Sequence, residues 1–419
     1  MGISHPFPAQ VKLSDPDTVL ACSNVGATES GFLYEWKWRD GAAVPSRVNG
    51  AKNPSSHDVQ LAANGEDYWQ PEYVSLVRRS RRDGSEVAAY GVCADPGGMN
   101  HAQLLEGDTR ALVSCRSTNS VVLYDVANEA VLWSVGGEDA TLALVGDVFW
   151  AGQHNAELFG DAVYLFDNAL SCDDSCDDVA GGVDDGSSAA DDGGADVDCY
   201  AACDGGTPSR VLRFRVDEAR ATATVDWTWE VPLPFPVGYA KIFGDADLLP
   251  GGDVLTSYWF GRLAPSLGAT ADATFAQITP EKAVAWQMEF FNSGDTVGGK
   301  CDKDGDAGCE RSQTRGWKAY SVERFYDGPV VYDAGLVDGA LKFTAHAALK
   351  RQRPSPGTWT LLDADDAVLS TGAFDFAKHS LPTKVHLDAP AASARGAFDA
   401  RRLAVEDEWG QVSYVDCHV

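Results

Sequence analysis

Two histidines stand in similar local contexts and offer groups that can do chemistry near neutral pH. His154 and Asn155 precede a short turn, after which an apolar run ends in Asp167-Asn168. His101 opens a comparable phrase, His101-Ala102-Gln103-Leu104-Leu105, ahead of its own turn. An imidazole can serve as a nucleophile or as a general acid or base in this pH range. The two histidines are therefore the first candidate catalytic residues.

The phrase around each histidine recurs along the chain, at the start of apolar runs typical of β-strands. Related segments occupy residues 9–13, 57–61, 101–105, 154–158 and 245–249, with a weaker sixth at 317–322. Most are roughly fifty residues apart, and about four strands with an outer tryptophan fit most units, as in propeller blades. We predict an all-β chain whose residues 1–335 form a six-bladed β-propeller. An irregular array of β-sandwiches is the alternative.

Two stretches depart from this repeat. Residues from about 169 to 208 consist largely of Asp, Gly, Ser, Ala and Cys, with no Lys or Arg before Arg210, which predicts an acidic inserted loop. From 336 to 419 the pattern changes to short alternating apolar and polar runs. These runs predict a small C-terminal β domain of sandwich type, packed beside the propeller.

The charge and hydropathy of the chain argue against nucleic acid as a partner and against a transmembrane segment. The formal net charge is −29, from 62 acidic and 33 basic residues, so the chain should repel nucleic acid. There is no apolar run of eighteen or more residues, so no transmembrane segment is expected. The first residues lack both the basic and the apolar regions of a signal peptide.

Cysteines point towards an oxidising compartment. Six of the ten stand in close pairs, Cys172/Cys176, Cys199/Cys203 and Cys301/Cys309. The first two pairs fit either two disulfides or a four-thiolate zinc site, and their acidic surroundings favour disulfides. This pattern suggests the secretory pathway or the extracellular space, although the sequence shows no signal peptide.

An acidic loop between Cys301 and Cys309 offers a second kind of chemistry. Asp302, Asp304 and Asp306 supply hard oxygen ligands at alternating positions, as calcium loops do. The distal glutamate of an EF-hand is missing at its usual spacing, although Glu310 follows. The loop is therefore either a Ca²⁺ site or a solvated loop closed by a disulfide.

The segment from Phe149 to Asn168 resembles the arylsulfotransferase family. Members of that family carry a Trp…Gln-His-(Asp/Thr/Asn)-Ala phrase followed by Leu-Phe-Asp-Asn-Gly, and here Trp150, Gln153-His154-Asn155-Ala156 and Leu165-Phe166-Asp167-Asn168 match it. The preceding unit is similar to the family's His…Ser-x-Arg-x-x-Asn…Gly-Gly blade, with His101, Arg116 and Asn119 in place. The matches cover roughly residues 95–260.

The resemblance implies transfer of a sulfuryl group from an aryl sulfate to a phenolic or other hydroxylated acceptor, with no cofactor required. It implies that His154 and His101 line a central funnel as catalytic residues. Arg116 would bind the sulfate as a bidentate donor, and Asn155, Asn168 and, less well matched, His57 would complete the substrate site. A sulfuryl group carries dispersed negative charge, so cationic and N–H donors around it suit this chemistry.

One departure bears on activity. The family's sulfurylated histidine lies on a later blade, and no histidine occurs here between His154 and His346. Either His154 or His101 acts as the nucleophile, or transfer is direct, or the protein is inactive. Two other classes therefore stay open: a non-catalytic propeller that binds a sulfated or anionic ligand, and a secreted calcium-dependent interaction scaffold.

Overall fold

The computed structural model folds the chain almost entirely into antiparallel β-sheets. The structure describes residues 8–23, 31–37, 46–53, 58–94, 98–146, 149–169, 208–232, 240, 243–259, 273–290, 320–337, 340–388 and 402–418. Within these ranges the strands form seven sheets, and the helical residues lie in short 3-10 turns. The predicted all-β class is confirmed.

Five sheets follow one another along the chain, and in each of them consecutive strands pair antiparallel. The first three sheets contain β1 (Pro8–Asp15), β2 (Thr18–Ser23), β3 (Gly31–Lys37) and β4 (Ser46–Asn53); β5 (Gln60–Leu61), β6 (Asp67–Glu72), β7 (Ser75–Ser80) and β8 (Glu86–Gly91); and β9 (Met99–Leu105), β10 (Arg110–Cys115), β11 (Ser120–Asp125) and β12 (Ala130–Val135).

The fourth sheet gains a fifth strand. It contains β14 (His154–Phe159), β15 (Ala162–Asp167), β16 (Arg210–Asp217) and β17 (Thr222–Glu230), with β13 (Ala143–Val145) added parallel to β17. The fifth sheet contains β18 (Asp245–Leu248), β19 (Val254–Trp259), β20 (Ala273–Ile278) and β21 (Val284–Phe290). The five repeated phrases thus lie on β1, at β5, and on β9, β14 and β18, the first strand of each sheet.

The second to fifth sheets pack against one another in chain order, and apolar clusters lie between them. One cluster joins the second and third sheets through Trp69, Met99 and Val113. A second joins the third and fourth sheets and includes Leu112 and Trp150, and a third joins the fourth and fifth through Phe166 and Tyr258. Meander sheets stacked in this order give a propeller-like architecture.

The residues on either side of the acidic insertion are bonded to each other. Residues 170–207 themselves lie outside the described part of the chain. Arg210 Nε donates to Asp167 Oδ2 at 2.8 Å, and Ser209 Oγ donates to the Asn168 carbonyl oxygen at 3.1 Å. These contacts hold the end of β15 beside the start of β16, which pairs with it antiparallel.

Two further sheets form the C-terminal part of the chain. The first pairs β22 (Val330–Val337), β23 (Ala340–His346) and β26 (Thr383–Asp388); the second has the order β25 (Val368–Phe376), β24 (Ser355–Leu362), β27 (Arg402–Asp407) and β28 (Val412–Asp416). Phe343 of the first sheet shares a core with Trp359 and Val405 of the second. The predicted boundary at 335 falls inside β22, which pairs with β23.

A disulfide links the second and third sheets near the ends of their strands. Cys93, just after β8, is bonded to Cys115, the last residue of β10. The three cysteine pairs singled out from the sequence lie outside the described residues, so their state stays a prediction. Among the described residues, no helix is long and apolar enough to cross a membrane.

Candidate functional site

His154 lies at the first position of β14 with its imidazole enclosed by polar groups. The residue is 2% exposed. Its Nδ1 is 2.7 Å from Asn168 Oδ1, at the end of β15, and 3.1 Å from the Gly152 carbonyl oxygen. The histidine before one strand and the asparagine after the next are therefore in direct contact.

The orientation of Asn168 fixes the tautomer of His154. The Asn168 amide nitrogen donates to the carbonyl oxygens of Ala240, at 2.7 Å, and Phe243, at 2.9 Å, so Asn168 Oδ1 must face the imidazole. Since both groups at His154 Nδ1 are acceptors, Nδ1 carries the proton. The ring's lone pair is then on Nε2, the nitrogen that would act as nucleophile or base.

Three aromatic rings extend from the imidazole. Tyr320 meets His154 edge-on at 5.8 Å between ring centroids, Phe243 meets Tyr320 at 5.2 Å, and Trp259 meets Phe243 at 5.4 Å. Tyr320 donates its hydroxyl hydrogen to the Asn100 carbonyl oxygen at 2.8 Å. Phe243 has a φ of 66°, in the left-handed region. The next residue, Gly244, has no room for a side chain, because a Cβ there would lie 2.2 Å from the Phe166 ring. Backbone strain of this kind is concentrated at functional sites.

The residues before His154 are fastened to the preceding sheet. Trp150 Nε1 donates to the Asn119 carbonyl oxygen at 2.9 Å, and the Gly152 amide donates to Asn119 Oδ1 at 2.7 Å. Gln153 Nε2 donates to the carbonyl oxygens of Cys115 and Ser120 at 3.1 and 2.9 Å. Three residues of the motif that resembles arylsulfotransferases, Trp150, Gly152 and Gln153, therefore hold the third and fourth sheets together.

Asn155 breaks the regular register of β14. Its φ is 49°, and the pairing with β15 shifts between His154 and Glu157. The side chain is 1% exposed, and among the described residues neither its amide nitrogen nor its oxygen has a hydrogen-bond partner. Unsatisfied buried amides are uncommon, so this position is unusual in a folded core.

His101 occupies a different environment from His154. Its Nδ1 lies 3.0 Å from Asp58 Oδ2 and its Nε2 lies 3.7 Å from Glu157 Oε1, and the imidazole is fully buried. Both ring nitrogens thus face carboxylate oxygens. The printed neighbours of the two imidazoles differ, since His154 Nδ1 contacts Asn168 and Gly152 whereas His101 faces carboxylates. The convergence of His101 and His154 on one site stays a prediction.

A buried charge cluster surrounds His101. In each repeated phrase a polar residue precedes the leucine, and three of these residues, Lys12, Glu157 and Asp247, belong to the cluster. Lys12 Nζ lies 3.3 Å from Glu157 Oε1 and 3.4 Å from Glu323 Oε1. The first strands of distant sheets therefore meet at this cluster.

The C-terminal part of the chain supplies a second lysine to the cluster. Lys350, between β23 and β24, places Nζ 3.0 Å from Glu157 Oε2 and 2.7 Å from Asp247 Oδ1. Burial lowers the pKa of Lys350, but the surrounding carboxylates outweigh that effect and hold it above its ordinary value.

The pKa values of the buried acids in the cluster are shifted in opposite directions. Burial raises the pKa of Asp245 to about 7 and that of Asp247 well above its ordinary range. Burial also disfavours ionisation of Glu157 and Asp58, but nearby positive charges prevail and hold their pKa values below the usual range.

Other predicted site residues are placed as follows. Arg116 is half-buried and begins the 3-10 turn Arg116–Thr118 between β10 and β11, where its backbone amide donates to the Gly98 carbonyl oxygen at 2.9 Å. His57, Asp302, Asp304 and Asp306 lie outside the described residues, so the calcium site stays a prediction. Among the described residues, no group of three or more His, Cys, Asp and Glu side chains is arranged to hold a metal ion.

Sequence reasoning missed two kinds of residue. The glutamines at the polar position of the phrase join neighbouring first strands: Gln60 Oε1 accepts from the Leu104 amide, and Gln103 bonds both backbone groups of Leu158. The recurrence of a polar residue before leucine was a visible signal for this role. Lys350 had no such signal, because it comes from another part of the chain.

Comparisons with known proteins give only distant likenesses. No family model matches the chain, and no curated protein matches it. The WD40 domain of coronin from Toxoplasma gondii is 8% identical with a TM-score of 0.37, covering 92% of this chain and 82% of that one. Hydrazine synthase from Kuenenia stuttgartiensis is 8% identical with a TM-score of 0.32, covering 87% and 66%.

Raptor from Chaetomium thermophilum is also 8% identical, with a TM-score of 0.39, and the match covers 99% of this chain and 28% of Raptor. At these scores the likenesses carry no argument about blade number or activity. The resemblance to arylsulfotransferases stays a prediction from the sequence.

Proposed function

We propose that the protein transfers a sulfuryl group from an aryl sulfate to a phenolic or other hydroxylated acceptor, with His154 as the nucleophile. The observation that carries the proposal is the contact between His154 Nδ1 and Asn168 Oδ1, which puts the lone pair of the imidazole on Nε2. Asn168 is then a positioning residue for His154 and not a substrate ligand.

The transfer would take place in two steps. His154 Nε2 attacks the sulfur of the donor, the S–O bond to the aryl group breaks, and the phenolate leaves. The acceptor hydroxyl then attacks the sulfur of the N-sulfurylated imidazole and the S–N bond breaks. The acceptor's proton passes to the released phenolate or to solvent water, and His154 is restored. Because His154 is 2% exposed, neighbouring side chains must move when the donor binds.

The neighbouring aromatic rings support an aryl donor. Tyr320, Phe243 and Trp259 form a continuous set next to the imidazole, and Phe243 and Trp259 are partly exposed. Aromatic rings of this kind gain about 0.5–1.5 kcal/mol from stacking or edge contacts beyond the burial of their area. We assign His101 to the charge cluster, where carboxylates face both of its nitrogens, and not to attack on the donor.

We further propose that the repeated sheets close into a six-bladed propeller. Residues 320–327 would take the inner-strand position of the sixth blade, since Val322 donates its amide to Asp245 Oδ2 just as Ala102 donates to Asp58 Oδ2. The ion pair of Lys12 with Glu323 supports closure between this segment and β1.

The test is a turnover assay on the purified protein with an aryl sulfate and a phenol. We expect release of the donor phenol, and loss of that release in His154→Ala. His386→Ala, which changes an exposed histidine of the C-terminal sheets, is the matched control and should keep activity. Added imidazole should partly rescue His154→Ala if the site is otherwise folded. Undiminished turnover in His154→Ala would reject the proposal.

A non-catalytic propeller that binds a sulfate ester is the second candidate. The sequence of the fifth sheet favours this candidate. The sulfurylated histidine of arylsulfotransferases lies on a later blade than that of His154, and here β19 carries Ser257 and Tyr258 and no histidine. Binding of the aryl sulfate, measured by calorimetry, without release of phenol would establish this alternative.

A further inference from the structure

A tyrosine and a histidine of the first C-terminal sheet form a hydrogen-bonded pair. Tyr332 belongs to β22, and His346 is the last residue of β23. The Tyr332 hydroxyl oxygen lies 3.0 Å from His346 Nε2, and the two rings are stacked with their centroids 5.6 Å apart. His346 is buried, whereas Tyr332 is partly exposed. The pair therefore joins an enclosed imidazole to a phenol that a small molecule can reach.

The second nitrogen of His346 fixes the roles of the two partners. His346 Nδ1 lies 2.6 Å from the carbonyl oxygen of Ser380. Since a carbonyl oxygen can only accept, Nδ1 carries the proton, and the lone pair of the neutral ring is on Nε2. Tyr332 must then donate its hydroxyl hydrogen to Nε2. Burial lowers the pKa of His346 and so favours this neutral ring.

The carbonyl group that orients His346 belongs to a turn with an unusual backbone. His379 and Ser380 have φ values of 56° and 51°, in the left-handed region that residues other than glycine rarely adopt. The turn is held at both residues, because Ser380 Oγ donates to the Ala347 carbonyl oxygen at 3.0 Å and the His379 amide donates to that of Arg351. Such conformations persist only where the surrounding structure enforces them, and they cluster at functional sites.

These three groups match the arrangement that activates a nucleophilic side chain. Such a site needs a hydroxyl within hydrogen-bond reach of a base, and a third group that orients the base. Here the phenol of Tyr332, the imidazole of His346 and the carbonyl of Ser380 take these places. Burial raises the pKa of Tyr332, so the phenol is protonated at neutral pH and its attack on an electrophile needs a base. His346 Nε2 is in place to take that proton.

A lysine on the same face of the sheet favours electrophiles that carry negative charge on oxygen. Tyr332 pairs with Thr344, and Thr344 pairs with Lys384, so the three residues form one row across β22, β23 and β26. Directly opposite residues of antiparallel strands project to the same face. An ammonium group stabilises charge that develops on the oxygens of a group in transfer. The oxygens of a sulfonyl or sulfuryl group are of this kind.

We propose that Tyr332 is a covalent modification site, a nucleophile that takes a sulfonyl or sulfuryl group from a small sulfur(VI) electrophile with His346 as its general base. The Tyr332 oxygen attacks the sulfur, its proton passes to His346 Nε2, and the bond between sulfur and the leaving group breaks. The imidazolium then gives the proton to solvent water. The product is an aryl ester on Tyr332, and its formation does not depend on the transfer proposed for His154.

Labelling of the full chain with p-toluenesulfonyl fluoride near neutral pH tests the proposal. In this reaction the S–F bond breaks and fluoride leaves, and mass spectrometry after digestion follows the label at each tyrosine over time. Tyr414 is the internal standard, because it is 56% exposed and its ring lies against Arg402, with no part in the pair. Although Tyr414 is the more accessible, we expect Tyr332 to react at least about tenfold faster through general-base assistance.

Substitutions of His346 distinguish a base from a structural support. His346→Gln keeps a side chain that can hydrogen-bond but cannot act as a base, and it should slow the labelling of Tyr332 by about tenfold or more. Added imidazole should restore part of the labelling in His346→Ala. His386→Ala is the matched control, since it changes an exposed histidine of the same sheet, and it should leave the labelling of both tyrosines unchanged.

The comparison of Tyr332 with Tyr414 in the wild type needs no variant, so it decides the matter even if a His346 variant fails to fold. Labelling of Tyr332 no faster than that of Tyr414 would overturn the proposal. An unchanged rate at Tyr332 in folded His346→Gln would overturn it as well.

Discussion

The chemistry proposed for His154 depends on one neighbouring amide. Asn168 cannot rotate without losing both of its bonds to the carbonyl oxygens of Ala240 and Phe243, so its own oxygen is held against His154 Nδ1. Rotation of the Asn168 amide would leave two buried carbonyl oxygens without hydrogen-bond donors, which is energetically costly. A solvated side chain in its place would not be held in one orientation in this way. The tautomer of the neutral imidazole is therefore set by the fold.

Asn168→Ala should lower kcat by about 10-fold to 100-fold, because the imidazole loses the partner that fixes its tautomer and orientation. It should also lower the free energy of unfolding by about 1–3 kcal/mol, since two buried carbonyls lose a donor. Steady-state assays and denaturant titration measure the two effects. Asn128→Ala, at an exposed turn, is the control and should change neither. Full activity in Asn168→Ala would contradict the positioning role.

The position of strand β14 is fixed by contacts of the segment that precedes it. Trp150, Gly152 and Gln153 bind the 3-10 turn and strand ends of the third sheet, and His154 follows directly. The imidazole is thus placed by contacts between two sheets as well as by the pairing of β14 with β15.

Gln153→Ala should destabilise the protein by about 1–3 kcal/mol, because the carbonyl oxygens of Cys115 and Ser120 would be left without this donor. Activity should fall as well, since His154 is adjacent. Gln287→Ala, on the exposed strand β21, should be neutral in the same urea titration. Equal stability of the two variants would show that this contact between sheets does not hold β14.

The Cys93–Cys115 disulfide constrains the end of β10, the same part of the third sheet that Gln153 contacts. Cys93 and Cys115 close a loop with a sequence separation of 22, and Cys115 directly precedes Arg116. Replacing both cysteines by serine should lower the unfolding free energy by about 2–4 kcal/mol, chiefly by releasing the unfolded chain from a constraint. Thermal unfolding with and without a reductant measures the effect. A reductant that lowers the melting temperature of the Cys93→Ser/Cys115→Ser variant as much as that of the wild type would contradict this assignment.

For the whole molecule, two equivalent aspartates should give opposite pH dependences. The pKa of Asp58 is held below that of the unfolded chain, so its contribution is present at neutral pH and is lost as pH falls through the folded value. The pKa of Asp245 is raised to about 7, so stability declines as pH rises from about 4 to 7.

Melting temperatures of Asp58→Asn and Asp245→Asn, taken from pH 4 to pH 8, test this contrast. Relative to wild type, Asp245→Asn should gain at least about 2 °C over that range, and Asp58→Asn should lose stability above pH 4. Parallel curves for the two variants would contradict the assigned protonation states.

The repeat was predictable because its signal is local. Each phrase joins a polar residue, a leucine and a turn, and in the structure the five phrases lie at or on the first strands of five sheets. The end of the repeat was less visible. Residues 330–337 form one more largely apolar strand, and only pairing with β23 assigns them to the C-terminal sheets.

The candidate site was predictable only in part, for a physical reason. His154 and Asn168 could be chosen by residue type and by their places at the two ends of one hairpin. The carboxylates beside His101 could not be chosen in this way, because Asp58 and Glu157 reach its two nitrogens from other sheets. Lys350 and Tyr320 come from remote segments that carry no motif.

The role proposed for His154 as the carrier of the covalent intermediate can be measured directly. The protein is mixed with an aryl sulfate and no acceptor, quenched rapidly without acid, digested and analysed by mass spectrometry. We expect a sulfuryl group on the peptide that contains His154, lost on addition of a phenol and absent in His154→Ala. A sulfuryl group on His101, or turnover with an unmodified His154 peptide throughout, would contradict it.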